Sequence, residues 1–256
     1  MGQRLAIVTG AAGDIGRAIA ARLRKDHDLV VLADRDLAAA ERAATLLGAG
    51  FVPLQADVTD AASCAALAAQ VAKLGALATL VNNAGAARAV SLQSTSVEDW
   101  QADRALNLDA AFILFRAVAE QLKAAKGSVV NIVSVNGMAI FGHPAYSAAK
   151  AGMIHLTRAI AVEYGKYGIR ANAVAPGTVR TQAWEARATA NPGVFDEAAA
   201  HYALGRIATA KDVAEAVGFL ASPLAGAITG VCLPVDCGLT AGTPPLARLF
   251  SQSADY

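Results

Sequence analysis

Leu5-Ala6-Ile7-Val8-Thr9-Gly10-Ala11-Ala12-Gly13-Asp14-Ile15-Gly16 is the stretch that decides the fold. Residues 5–9 lack polar alternation, as expected of a strand buried on both faces. The glycines that follow let the backbone turn sharply and approach a diphosphate. A helix starting there presents free N–H groups and a partial positive charge to such a group. A plain tight turn also uses glycines, so the motif alone leaves both readings open. No Gly-Lys-Ser/Thr follows, which excludes a P-loop.

The same rhythm continues outward. Strands are expected at 29–33, 51–55, 78–82, 128–133, 169–174 and 228–233, and helices at 15–25, 36–48, 60–73, 97–125, 145–166 and 210–221. Pro53 argues that 51–55 is an edge strand. Alternating β and α at this spacing means βαβ units. The expected architecture is a doubly wound, Rossmann-type parallel sheet of about seven strands with helices on both faces, residues 1–256 forming a single domain. Residues 180–206, with Asn191-Pro192-Gly193, break the rhythm after a strand's carboxyl end, where a lid over a ligand would lie. The tail, 243–256, is expected to be loosely held or used in subunit contacts.

Composition narrows the function classes. Hydrophobic residues are 55% and aromatics 5%, so Ala, Val, Leu and Ile must build the core. Charged residues are 17%, below the ~25% of an average chain, which argues against disorder. A net charge of +1 supplies no field for nucleic acid or an acidic membrane. Cys64, Cys232 and Cys237 form no ligand or disulfide pattern, so no metal site is expected and a reducing cytoplasm is the simplest setting. No run of ~18 apolar residues predicts a membrane span. The start, Met1-Gly2-Gln3-Arg4, does not read as a secretory signal or a myristoylation site.

The second strand ends in Asp34, roughly 20 residues past the glycines, where a carboxylate accepts hydrogen bonds from ribose hydroxyls and repels a 2′-phosphate. That favours NAD over NADP, with Arg35 as the counter-argument. Asp34 could instead cap the helix at 36. Asp57-Val58 ends the third strand and could meet the adenine amine; Asp57 could equally cap helix 60–73.

Tyr146-Ser147-Ala148-Ala149-Lys150 puts a phenol and an ammonium on one helix face. Tyrosine titrates near ~10, so service as a base near neutrality needs ~4 kcal/mol of differential stabilisation. A close ammonium in a partly desolvated site is of that order. Ser134 ends the fifth strand, Asn82-Asn83-Ala84-Gly85 the fourth, Asn107 lies in the long helix, and Pro176-Gly177 follows the sixth strand. Together these residues resemble the short single-domain branch of the short-chain dehydrogenase/reductase family, from Thr9 to about Gly238.

The resemblance implies Tyr146 as general acid/base, Lys150 lowering its pKa and holding the nicotinamide ribose, Ser134 orienting the substrate carbonyl, and Asn107 holding a relay water. It implies cofactor contacts from Gly10, Asp14, Ile15 and Gly16 at the diphosphate, from Asn83, Ala84 and Gly85 at the adenosine-side ribose, and from Pro176, Gly177, Val179 and Thr181 at the nicotinamide end. Asp14 departs from the family's Thr-Gly-x-x-x-Gly-x-Gly, and is expected to be a helix N-cap. The spacing Gly10, Gly13, Gly16 is similar to the family's extended branch, but the chain ends too soon for that branch.

Asn136, Phe141 and His143 are candidate pocket residues, with Trp184, Phe195 and Tyr202 in the insertion as a possible apolar cover. The expected function is NAD-dependent hydride transfer with a small secondary alcohol, polyol or sugar. A 3-oxoacyl-[acyl-carrier-protein] ketoreductase, which generally prefers NADP, is the alternative, and an idle nucleotide-binding scaffold a remote one. The resemblance also implies a homotetramer or homodimer, through apolar faces of helices 97–125 and 145–166.

Overall fold

The computed structural model describes residues 3–255; Met1, Gly2 and Tyr256, the last residue of the tail, lie outside them. Its first half runs β1 (Arg4–Thr9), α1 (Asp14–Leu23), β2 (Leu29–Asp34), α2 (Leu37–Leu47), β3 (Phe51–Gln55), α3 (Ala61–Leu74), β4 (Ala76–Asn82), α4 (Val97–Arg104) and α5 (Ala110–Ala125). The second half runs β5 (Ser128–Ile132), α6 (Pro144–Tyr164), β6 (Arg170–Pro176), α7 (Glu185–Ala190), α8 (Val194–Ala199), α9 (Ala210–Ala221), β7 (Cys232–Val235) and α10 (Pro244–Ser251). The strands form one seven-stranded sheet in the order β3-β2-β1-β4-β5-β6-β7, and every pairing is parallel. Pro53 sits in the edge strand β3, where its missing N–H costs least.

Side chains alternate across the pleat. Leu5 and Ile7 of β1 join a core with Leu67, Leu114, Val118 and Ile160, from α3, α5 and α6. Ala6 and Val8 join a core on the other face with Ile19, Leu23, Val213 and Val217, from α1 and α9. Both faces of the sheet are therefore covered, which explains the unbroken apolar strands. The chain turns from one direction to the other between β1 and β4, and the crevice at their carboxyl ends is where a doubly wound sheet takes its ligand.

Two sequence expectations are corrected, and the tail gains a helix. The expected helix 97–125 is two helices separated by a π-turn at Ala105–Asp109. Asn107 lies in that turn and its side chain donates to the Asp103 carbonyl, competing with the regular ladder. The last strand begins at Cys232, not 228, because the Ile228 carbonyl serves the Arg170 and Asn172 side chains. The tail contains helix α10, started by Pro244 and Pro245 in its first turn, with Leu246, Leu249 and Phe250 exposed.

At the amino-terminal edge of the sheet, buried His27 bonds the Leu23 carbonyl through Nδ1 (2.9 Å) and Thr79 Oγ1 through Nε2 (2.9 Å). A carbonyl only accepts, so Nδ1 carries a proton, and burial disfavours the charged ring. Among the described residues no helix is long and apolar enough to cross a membrane.

Candidate active site

Gly10 turns with φ +60°, and a Cβ there would lie 2.9 Å from the Ala84 Cα. The loops after β1 and β4 can approach only because this residue is glycine. Asn83 then stitches them: its N–H donates to Thr9 Oγ1 (2.9 Å) and its amide to the Thr9 carbonyl (2.9 Å) and the Gly10 carbonyl (3.2 Å). The Ala84 N–H also donates to Thr9 Oγ1, at 3.0 Å. Ile15 is half-buried against the α1/α9 core, and a Cβ on Gly16 would collide with the Gly10 carbonyl, so the turn closes only over a glycine.

Asp14 is not the N-cap. Gly13 occupies that position in extended backbone, without a side-chain cap, and Asp14 is the first helical residue, where its charge suits the helix dipole. Its carboxylate pairs with Arg17 and accepts the Gln182 N–H at 2.6 Å, tying the glycine loop to the start of the 180–206 segment. Among the described residues, no backbone acceptor meets the N–H groups of Asp14, Ile15 or Gly16. Such a glycine cradle fits a dinucleotide diphosphate.

Asp34 does not cap α2; Asp36 does, accepting the Ala39 N–H at 3.0 Å. The Asp34 carboxylate instead accepts from the N–H groups of Ala12 (3.1 Å) and Asp36 (3.2 Å), beside the glycine loop. Asp57 likewise leaves capping of α3 to Asp60. Hydrogen bonds from the Thr59 hydroxyl and N–H hold the exposed Asp57 carboxyl below its usual range. The Val58 side chain is buried in the core.

Across the crevice, Ser134 stands near enough to the Tyr146 phenol to favour its charged form. Lys150, one turn further along α6, places Nζ 5.5 Å from the Tyr146 ring centre and donates to the Ile132 carbonyl at 2.8 Å. Burial pushes Lys150 down to about 7. Burial also pushes the Tyr146 phenol up, Ser134 acts in the opposite direction, and the Asp103 charge adds to the rise. Asn107 is buried and donates to the Ala86 (2.7 Å) and Asp103 (2.9 Å) carbonyls, while its Oδ1 has no partner. A Cβ on Gly85 would lie 2.8 Å from that Oδ1 and 3.3 Å from Lys150 Nζ, so Gly85 keeps open the space that the two polar groups face.

The remaining expected positions line the same edge. Pro176 ends β6 and the Gly177 N–H donates to the Val235 carbonyl. Val179 is buried and bridges to Ala208, and the Thr181 carbonyl accepts the Trp184 N–H. Trp184 stacks obliquely on Phe195 at 5.9 Å. Tyr202 is buried and its hydroxyl accepts the Thr178 N–H, so it packs the insertion onto the body. Asn136 donates to the Gly142 carbonyl and Ser147 Oγ, bracing the loop before α6. His143 holds a left-handed backbone (φ +53°) and its Nδ1 bonds the Ala89 carbonyl. An apolar rim of Val90, Leu92, Met138, Ile140 and Phe141 is exposed on the loops after β4 and β5.

Sequence reasoning missed Thr9 as the stitching hydroxyl, and missed Asp103, a buried carboxylate paired with Arg88 at 3.0 Å. Asp103 stands four residues before Asn107 on the same helical path. That spacing, in a chain poor in charge, was the available signal.

A family model described as "Enoyl-(Acyl carrier protein) reductase" matches residues 10–240. An uncharacterized oxidoreductase of Schizosaccharomyces pombe is 40% identical over 99% of this chain and 97% of its own length. A meso-2,3-butanediol dehydrogenase of Serratia marcescens is 35% identical over 93% of this chain and 95% of its own. The crystal structure of a Burkholderia thailandensis oxidoreductase of the short-chain dehydrogenase/reductase family superposes with a TM-score of 0.94, at 44% identity over 99% of both chains. With its parallel sheet, glycine cradle and these relatives, the chain belongs to the short-chain dehydrogenase/reductase family.

Proposed function

We propose that this protein is an NAD-linked dehydrogenase that exchanges a hydride between nicotinamide and a secondary alcohol or ketone of the small-alcohol, polyol or sugar class. One observation carries the reading: Lys150 Nζ stands 5.5 Å from the Tyr146 ring at the crevice, and Ser134 is near enough to draw the phenol's titration down against burial. Nicotinamide supplies or accepts the hydride when bound.

The chain's own residues position the substrate and move its proton. Ser134 donates to the substrate oxygen and orients its carbon. Tyr146 takes the hydroxyl proton in oxidation and returns it in reduction. The Lys150 ammonium favours the phenolate by proximity. Asn107 Oδ1, buried and unpaired, accepts from a water that passes protons between Lys150 and solvent. The α1 N–H groups hold the diphosphate, Asn83, Ala84 and Gly85 the adenosine-side ribose, and Pro176, Gly177, Val179 and Thr181 the nicotinamide end. Asp34 takes the adenosine ribose hydroxyls and turns away a 2′-phosphate. Asp57 and Val58 stand at the adenine, and His143 and Trp184 at the substrate.

The whole chain serves as one catalytic unit, with 180–206 as the lid. Phe112 on α5 and Val162 on α6, both exposed, suit burial between subunits of a tetramer or dimer. Three free thiols suit the reducing cytoplasm.

A second reading has support of its own. The exposed apolar rim beside the cleft suits an acyl chain, and Arg35 next to Asp34 suits a 2′-phosphate; both fit an acyl ketoreductase. The deciding experiment measures reduction of NAD across secondary alcohols, polyols and sugar acids, with NADP and a 3-oxoacyl thioester in parallel. Turnover with NAD and an alcohol supports the first reading. A clear NADP preference with the thioester overturns it.

A further inference from the structure

The Asp103 side chain is completely buried, and Arg88 is its ion-pair partner. Its Oδ1 accepts from Arg88 Nη1 at 3.0 Å and its Oδ2 from the Arg88 backbone N–H at 3.3 Å. Removing a carboxylate from water costs about as much as such a pair returns, so the pair is a poor source of stability. What it supplies is position.

Arg88 lies in the middle of a strap, Gly85 to Val90, that leaves β4 along the mouth of the cleft. The bonds of the strap reach two parts of the site, Asn107 and His143. The Ala86 carbonyl accepts from Asn107 Nδ2 (2.7 Å). The Ala89 carbonyl accepts from His143 Nδ1 (3.0 Å), and the Val90 carbonyl from the His143 N–H (3.4 Å). Asp103 holds this arrangement from both sides, since its own carbonyl accepts the same Asn107 amide at 2.9 Å. His143 precedes α6, and its carbonyl takes the Ser147 N–H that opens the helix carrying Tyr146.

We propose that Arg88 and Asp103 are positioning residues of the cleft: their buried ion pair fixes the Gly85–Val90 strap between Asn107 and His143, and so sets the wall along which substrate approaches Tyr146. The inference rests on the dehydrogenase reading for its kinetic form. The pair also has an electrostatic side. The groups that act on the phenol are Ser134 from the β5 loop, Lys150 on α6 and Asp103 on α4; Arg88 reaches it only through its pair with Asp103. Of these, Asp103 brings the negative charge, which opposes the phenolate.

Three variants test the proposal. Asp103→Asn keeps the shape and removes the charge. The acid limb of its kcat/KM profile is expected to move to lower pH by about half a unit or more. Arg88→Met releases the strap. It is expected to raise KM for the alcohol roughly tenfold, with a smaller change in kcat and with NADH affinity, read by fluorescence, within about twofold. Arg88→Lys should restore most of the loss.

A purely structural pair gives a different pattern: Asp103→Asn lowers Tm while its pH profile superimposes on the parent's, and Arg88→Met lowers kcat and NADH affinity together. That pattern overturns the proposal and leaves the dehydrogenase reading standing. If the parent reduces no nicotinamide with any alcohol, the dehydrogenase reading fails, and two other readouts decide. Ultraviolet titration of the Tyr146 phenol, taken as the difference from Tyr146→Phe, should still shift down in Asp103→Asn. Hydrogen exchange at 85–90 should still rise in Arg88→Met. No change in either overturns the clamp.

Discussion

Lys150 Nζ stands 5.5 Å from the centre of the Tyr146 ring, yet its hydrogen bond goes to the Ile132 carbonyl. The ammonium therefore acts on the phenol through space, and a backbone carbonyl fixes its place. Replacing Tyr146 with phenylalanine removes the proposed proton carrier and leaves this frame intact. Turnover is expected to fall by a factor of about 10³ or more, with NADH binding, measured by fluorescence, nearly unchanged. Retained turnover would refute the acid/base role.

Lys150 is held at a cost. Its folded value of about 7 lies below the ordinary 10.5, so between those limits the unfolded chain binds a proton that the folded chain releases. Stability therefore rises with pH across that window, and the cost is full at and below pH 7. Lys150→Met is expected to abolish turnover yet raise Tm by about 2–6 °C at pH 7, with the gain shrinking toward pH 10. A scan of Tm against pH for both proteins checks the sign.

Buried His27 titrates below its ordinary 6.5 because burial disfavours the charged ring. Below pH 6.5 the unfolded chain takes up a proton that the folded chain resists. Stability is thus fully present above 6.5 and is lost as pH falls, by up to about 1.4 kcal/mol per pH unit until the folded value is reached. Denaturant midpoints for His27→Gln should show a shallower loss between pH 6.5 and 5.

On the proposed reading, Asp34 carries the cofactor choice. Asp34→Ala should raise KM for NAD roughly tenfold or more, through loss of charge-assisted hydrogen bonds, and improve the relative use of NADP. Steady-state kinetics with both cofactors read this; an unchanged ratio would discard the carboxylate argument.

Asp14 ties the 180–206 segment to the glycine loop through the Gln182 N–H. Asp14→Ala is expected to speed NADH release several-fold in stopped flow, since one charge-assisted bond to a backbone N–H is lost. Unchanged release would separate this contact from any closing motion.

Much of this was legible because its causes are local. Unbroken apolar strands told of a sheet covered twice, Pro53 of an edge, and the four-residue step from Tyr146 to Lys150 of a shared helix face. The illegible parts depend on partners distant in the chain. The π-turn at Asn107 forms around a bond to Ala86. Asp14 looked like a cap because local rules say nothing of Gln182, 168 positions away. The pairing of Arg88 with Asp103 appears only once the strap has folded over α4, and the Ile228 carbonyl is drawn from strand pairing by Asn172 and Arg170.

The Thr9–Asn83 stitch joins segments 74 residues apart. The proposed nucleotide seat is thus absent from a growing polypeptide until β4 has emerged and docked beside β1. Any dinucleotide captured there rewards only chains that have completed this crossover, so ligand in the surroundings selects for finished molecules over half-made ones.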